Sequence, residues 1–360
     1  MINSVQLKNF GPLTELDWQN LGPINLVIGN NGCGKSFLLK AMYSAVRTLE
    51  SYKRGNNPIS AADILFEKLF WTFQPEKLGD LVAKSCDAAL SFNLAIDNKC
   101  FNYSFGKDTI KSITTLENRA STRNSDSIYL PAKEVLSLHH IILDSRDRYQ
   151  IFGFDDTYFD LAKALQKPLP HRFAVDTREL LSGDPDIDLS TKAYRANSKS
   201  FKHARKLLED MLEGKIEYDK NQSRWFFKKG KQRFDIGVTA EGVKKISILD
   251  ILLGNGYLDG NSIVFIDEPE SALHPEAISK FLDIIALLAQ CGIQFFIASH
   301  SYFVIKKLFL IAQEQKLSIP VLSKDGDTWQ QHDLLDEMPD NAIIDESIRL
   351  YEEEVDLAFK

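Results

Sequence analysis

Near the start of the chain, the eight residues Gly29-Asn30-Asn31-Gly32-Cys33-Gly34-Lys35-Ser36 satisfy the spacing G-x-x-x-x-G-K-S/T. Glycines at these places let backbone N–H groups curl around phosphate oxygens without a side chain in the way. Lys35 is expected to reach the β- and γ-phosphates of a nucleotide. Ser36 is expected to offer its hydroxyl to Mg²⁺, a cation that keeps most of its ligands as water and phosphate oxygens. Phe37 follows, at the N-terminus of a helix whose positive dipole end adds to the cradle. A second group of residues, Ile263-Val264-Phe265-Ile266-Asp267-Glu268-Pro269-Glu270, reads as a buried parallel strand carrying acids at its C-terminal end, where α/β folds place ligands. Asp267 is then the outer Mg²⁺ partner, and Glu268 the group that polarises an attacking water. The competing reading has these acids merely capping a helix opened by Pro269 and Pro275; the upstream phosphate loop weighs against it. A third apolar run, Phe295-Phe296-Ile297-Ala298, ends on Ser299 and His300. A histidine at a strand end is most often structural. This one follows the carboxylate strand by one helix, so a right-handed β-α-β unit makes it a neighbour of the acids.

The elements that must position these groups are legible around them. Residues 4–28 read as strand, turn, strand, strand, the last being the apolar run that feeds the phosphate loop. Over 37–49, Leu38, Leu39, Met42, Ala45, Val46 and Leu49 recur at helical spacing and put one face on a sheet. A polar break over 52–60 precedes a helix over 61–73. Alternating apolar residues on either side of Asp97-Asn98 predict an antiparallel hairpin. Residues 112–126 read as loop, and IYLPAKEVLSL from Ile128 as a short buried strand ended by Pro131.

Composition excludes several classes. With 360 residues, 44% hydrophobic and 26% charged, the chain is neither fibrous nor disordered. The net charge of -7 excludes a chain that is polybasic throughout. Charge is nevertheless divided: 191–234 carries thirteen Lys/Arg against five Asp/Glu, and 333–356 carries ten Asp/Glu against Arg349 alone. Cys33, Cys86, Cys100 and Cys291 are too scattered for a zinc site or a disulfide framework. No signal peptide and no run of about 18 apolar residues is present, so a cytoplasmic protein without a membrane segment is expected.

Taken together, the phosphate loop, the IVFIDEPES segment and IASHSYF resemble the ABC-type ATPases of the SMC, RecF and OLD group. The implied fold is α/β, with a mainly parallel sheet, an antiparallel β-subdomain and a helical insertion. The resemblance implies that ATP is sandwiched between two copies in a homodimer or higher oligomer. The signature loop that completes the partner's site then matches Gly237-Val238-Thr239-Ala240-Glu241-Gly242-Val243-Lys244-Lys245, just before a long apolar helix from Ile246. Gly242 would present its backbone N–H to the partner's γ-phosphate. Ala240 stands where the group usually has serine, which removes a hydroxyl and points to slow hydrolysis. Ser271 to Pro275 matches the D-loop region and His300 the switch histidine that reads the γ-phosphate. For the Q-loop, Gln74 and the strand end at Leu130 to Lys133 both remain open. The segments IYLPAKEVLSL, FDDTYFDLAKAL and NAIIDESIRLYEEE further resemble compact ATPases of bacterial defence loci, including those of Septu and PARIS systems.

On this reading the chain divides into 1–127, the N-terminal ATPase part with phosphate loop and hairpin; 128–235, a mainly helical basic insertion; and 236–360, the C-terminal part with signature, acids, His300 and an acidic tail. It lacks heptad arms and a Toprim-type nuclease, so a defence role needs a separate effector, a nuclease or a toxin. Two rivals stand beside this ATP-gated regulator. One is a RecF-like repair ATPase that binds nucleic acid through 191–234, with Trp225, Phe226 and Phe227 as stacking groups. The other is a near-non-hydrolytic scaffold clasped by ATP around a toxin, for which Ala240 is the motive.

Overall fold

Alternation of buried and exposed positions makes β1 (Ile2–Phe10) and β2 (Leu13–Trp18) half-buried strands, and the fully buried β3 (Ile24–Ile28) leads into α1 (Lys35–Ser51). Then come α2 (Ala61–Phe73), capped by Ser60, and the hairpin β4 (Leu90–Ile96) and β5 (Lys99–Phe105). Asp97 and Asn98 turn this hairpin with φ of 50° and 59°, the left-handed pair that two-residue hairpins demand. The chain continues through β6 (Thr115–Asn118), β7 (Ile128–Leu130), α3 (His139–Asp147), α4 (Asp156–Leu165) and α5 (Lys192–Leu212). A small meander, β8 (Lys215–Asp219), β9 (Arg224–Lys229) and β10 (Gln232–Asp235), leads to α6 (Glu241–Gly254) and β11 (Ile263–Asp267). The last part comprises α7 (Pro275–Gln290), β12 (Gln294–Ser299), α8 (Tyr302–Gln315), β13 (Pro320–Asp325), β14 (Thr328–Asp333) and α9 (Ala342–Ala358). These features belong to a computed structural model that describes residues 1–54, 59–85, 87–167, 192–219, 221–326 and 328–359. Cys86 and parts of the basic segment, among them Lys220, lie outside the described residues.

The central sheet runs β14-β13-β3-β12-β11-β7, parallel except for the returning β14. Its inner strands are apolar on both faces because both faces are covered. Ile24, Leu26, Ile28, Val264, Ile266, Phe295 and Ile297 share one core with residues of α4 to α8. Val27, Phe265, Phe296 and Ala298 face the other way, toward α1 and the antiparallel sheet β2-β1-β4-β5-β6. The fold is therefore α/β with a mainly parallel sheet, an antiparallel β-subdomain and helices. A buried charge cluster anchors the phosphate-loop helix: Lys40 pairs with Asp155 at 2.5 Å, and Tyr43 donates to Asp160 at 2.8 Å. Burial pushes the Asp160 carboxyl up, but Lys68 and Arg47 overcome this and hold it at about 2.

Three expectations change. The strand β7 is an edge of the central sheet, so the boundary drawn at 128 falls inside that sheet, and 128–235 also holds the meander β8–β10. The loop over 112–126 contains β6, whose alternation is half-exposed because it edges its sheet. The helix expected from Ile246 begins earlier, at Glu241, where no residue breaks helical geometry and the acid suits a first turn.

Candidate functional site

At the C-terminal edge of the central sheet, the loop after β3 wraps into α1. Gly34, with φ of 103°, takes the N-cap place, and a Cβ there would meet Leu13 Cδ2 at 2.7 Å. Asn30, Asn31 and Gly32 form the exposed rim of the loop, and Cys33 lies half-buried. Lys35 is 6% exposed and donates to Gly29 O at 2.7 Å and Asn30 O at 2.9 Å, so its ammonium sits at the centre of the loop. The Phe37 ring packs against Phe10 and Phe73, which leaves its backbone N–H, not its side chain, on the loop side.

The strand β11 delivers its acids beside this loop. Ser36 Oγ donates to Asp267 Oδ1 at 3.0 Å, and Tyr129 of β7 donates to Asp267 Oδ2 at 3.1 Å. Burial pushes the Asp267 carboxyl up, and these two hydrogen bonds oppose the shift. The backbone of Glu268 is left-handed, φ 48°, a conformation that costs a non-glycine residue of order 1 kcal/mol. Its N–H donates to Ala298 O at 2.9 Å, and its carbonyl accepts from Lys245 Nζ of α6. His300 Nδ1 lies 3.5 Å from Glu268 Oε1 and 3.6 Å from Glu270 Oε1. The register of β12 beside β11, Ala298 opposite Asp267, produces this approach. Burial draws the Lys245 ammonium down to about 8, against Glu270, Asp267 and Glu268.

Ala240 is the N-cap of α6 and gives it no side-chain cap. Ala240 and Glu241 are exposed, and Val238 beside them is 79% exposed. A Cβ on Gly242 would meet Ala272 O at 2.8 Å and Leu273 Cδ2 at 3.0 Å, so this glycine permits the close approach of α6 to the 271–275 turn. Pro269 opens no helix: α7 starts at Pro275, with the His274 ring accepting from Glu276 N–H. Gln74 caps α2 and donates to Phe154 O at 3.2 Å, whereas the strand end at Leu130 lies beside Ile266.

Tyr129, Lys245 and Glu270 were not singled out from sequence. Tyr129 falls in the buried strand from Ile128 and Lys245 at the end of the signature-like stretch; only the fold reveals that one meets Asp267 and the other lies buried beneath Glu268. The basic segment also differs from its sequence. Trp225 and Phe227 are buried, and the Arg233 guanidinium lies 3.6 Å over the Phe226 ring. Arg205, Lys215, Arg224, Lys228, Lys229 and Arg233 pair with acids of the same region or of α6, while no ion pair involves Lys199, Lys202 or Lys206 among the described residues. No described helix is long and apolar enough to cross a membrane.

Comparison with known proteins fits this arrangement. The profile of the family described as "AAA domain, putative AbiEii toxin, Type IV TA system" matches residues 24–306, from β3 through His300 into α8. The uncharacterized protein MJECL10 of Methanocaldococcus jannaschii is 30% identical over 114 residues, which is 31% of this chain and 47% of that relative. The chain thus spans about half the length of that curated relative. Among solved structures, the SMC head bound to the C-winged helix domain of ScpA covers 92% of this chain and 97% of its own, with a TM-score of 0.52 at 15% identity. An SMC head with an extended coiled coil, bound to the C-terminal domain of ScpA derived from Pyrococcus furiosus, covers 98% of each chain at 12% identity, with a TM-score of 0.47. With its phosphate loop and acid-bearing strand joined across an SMC-head-like fold, the chain belongs to this AAA-domain family of P-loop ATPases linked to AbiEii-type toxin systems.

Proposed function

We propose that this ATPase binds ATP with Mg²⁺, closes into a dimer around it, hydrolyses it slowly, and thereby regulates a separate effector, a nuclease or a toxin, in bacterial anti-phage defence. The observation that carries the reading is the meeting of Lys35, Ser36, Asp267, Glu268 and His300 at one edge of the sheet. Ser36 and Asp267 offer hard oxygen donors suited to Mg²⁺, which would neutralise charge on the phosphates when bound. The Lys35 ammonium faces the same phosphates. Glu268 orients a water and accepts its proton, and His300, held against Glu268, senses the γ-phosphate. The exposed end of α6 at Ala240 to Gly242 completes the second copy's site through backbone N–H groups. Its lack of a serine hydroxyl accounts for slow turnover.

The sequence's likeness to Septu and PARIS ATPases supports the defence role. A second reading, a nucleic-acid-binding repair ATPase, draws on Lys199, Lys202 and Lys206 of α5, which make no ion pair among the described residues. They favour phosphate contacts without base stacking, since Trp225 and Phe227 are buried. Absence of DNA affinity at low salt removes it. The test of the main reading is Glu268→Gln with MgATP, which is expected to trap nucleotide in a dimer; measured turnover of the unaltered protein separates it from a non-hydrolytic clasp.

A further inference from the structure

Glu270, two residues beyond Glu268, is a second carboxylate at the site, and its surroundings differ from those of Glu268. The Glu268 side chain is 34% exposed, whereas that of Glu270 is 11% exposed. One oxygen of Glu270 gathers every contact. Oε1 accepts from Ser299 Oγ at 2.8 Å and from the His300 backbone N–H at 3.1 Å, and it stands 3.6 Å from His300 Nδ1. Ser299 Oγ in turn accepts from Ser301 N–H at 3.0 Å. Ser299 and His300 at the exit of β12 are thus tied to one atom, and Ser301 is held to it through Ser299. The other oxygen, Oε2, is buried with no hydrogen-bond partner among the described residues. The backbone explains how the side chain gets there. The left-handed Glu268 turns the chain, the Ser271 N–H closes the turn on Glu268 O at 3.0 Å, and Glu270 swings back onto β12.

The imidazole that Glu270 holds by its backbone is itself 43% exposed. A side chain so open to solvent has several rotamers, and its facing toward Glu268 depends on where its Cα is fixed. We propose that Glu270 is the positioning residue of His300: its Oε1 fixes the 299–301 turn and so keeps the ring beside Glu268. It acts as an acceptor at one place, not as a base or a phosphate-facing charge. The inference rests on the reading of His300 as the γ-phosphate sensor.

The two acids then answer differently to the same substitution. Glutamine keeps an oxygen where Oε1 stands, so Glu270→Gln is expected to hold kcat within about threefold, whereas Glu268→Gln abolishes turnover. Glu270→Ala removes the acceptor and is expected to lower kcat at least about tenfold, with KM for ATP within about threefold. In a His300→Ala background, Glu270→Ala is expected to cost nothing more, because its effect passes through that ring. Hydrogen exchange in the full-length protein gives a readout independent of turnover: amides of 299–301 exchange faster in Glu270→Ala and at the unaltered rate in Glu270→Gln. The proposal is overturned if Glu270→Gln is as inactive as Glu270→Ala, if the two alanine effects simply add, or if exchange at 299–301 does not change. An unaltered protein without turnover would overturn the hydrolysis reading alone, since exchange still reports the contact.

Discussion

Among the described helix starts, α2, α4, α7 and α9 begin under a side-chain cap supplied by Ser60, Asp155, His274 and Asn341, whereas α1, α6 and α8, which follow the phosphate loop, the signature-like turn and His300, have none. A cap satisfies N–H groups that an anion would otherwise need. The starts of α1, α6 and α8 thus carry no side-chain cap, while α7, which opens from the D-loop-like stretch Ser271 to Pro275, is capped by His274. The short α3, headed by Leu138, is also uncapped, so the absence of a cap does not by itself mark a site. What distinguishes α1 and α6 is a glycine where a Cβ has no room, Gly34 against Leu13 and Gly242 against Ala272.

The contrast can be broken at several points. Replacing the cation at the open end of α1, Lys35→Ala, is expected to weaken ATP binding by on the order of a hundredfold, the worth of a charged hydrogen bond of about 3 kcal/mol. Calorimetric titration checks this, and unchanged affinity would detach the open end from phosphate binding. Gly242→Ala forces a methyl onto Ala272 O and is expected to destabilise the fold by about 1–3 kcal/mol. A urea midpoint equal to that of the unaltered protein would show that the α6 end is not held by this contact. The smallest effects are two: Ser60→Ala is expected to lose about 1 kcal/mol of stability with turnover intact, while Ala240→Ser returns a hydroxyl to the exposed start of α6 and raises turnover. Equal turnover in Ala240→Ser and the unaltered protein would mean that the missing hydroxyl does not slow hydrolysis.

The parts of this site visible in the sequence were those whose function is local. Gly29 to Ser36 encode a loop by themselves, and the four apolar residues before Asp267 announce a buried strand. Asp97-Asn98 prescribes its own hairpin. The edge strands β6 and β14 are hidden by half-exposed polar alternation that resembles loop, and β13 by the shortness of its buried run, Val321 to Ser323. Long-range pairing was equally hidden. Nothing in VKKI tells that Lys245 turns inward to Glu268 while Lys244 meets Glu134 and Glu241. The basic segment misleads for the same reason: its net charge is plain in sequence, but the acids that neutralise Lys228, Lys229 and Arg233 lie on neighbouring strands and turns.

The central claim is that the open ends of α1 and α6 from two copies close on one ATP. It is tested most directly by the solution mass of Glu268→Gln with MgATP. The account predicts a stable species of twice 40.8 kDa, or a larger even assembly, with one trapped ATP per chain and its loss in Lys35→Ala. A protein that binds ATP fully yet stays at 40.8 kDa would contradict it.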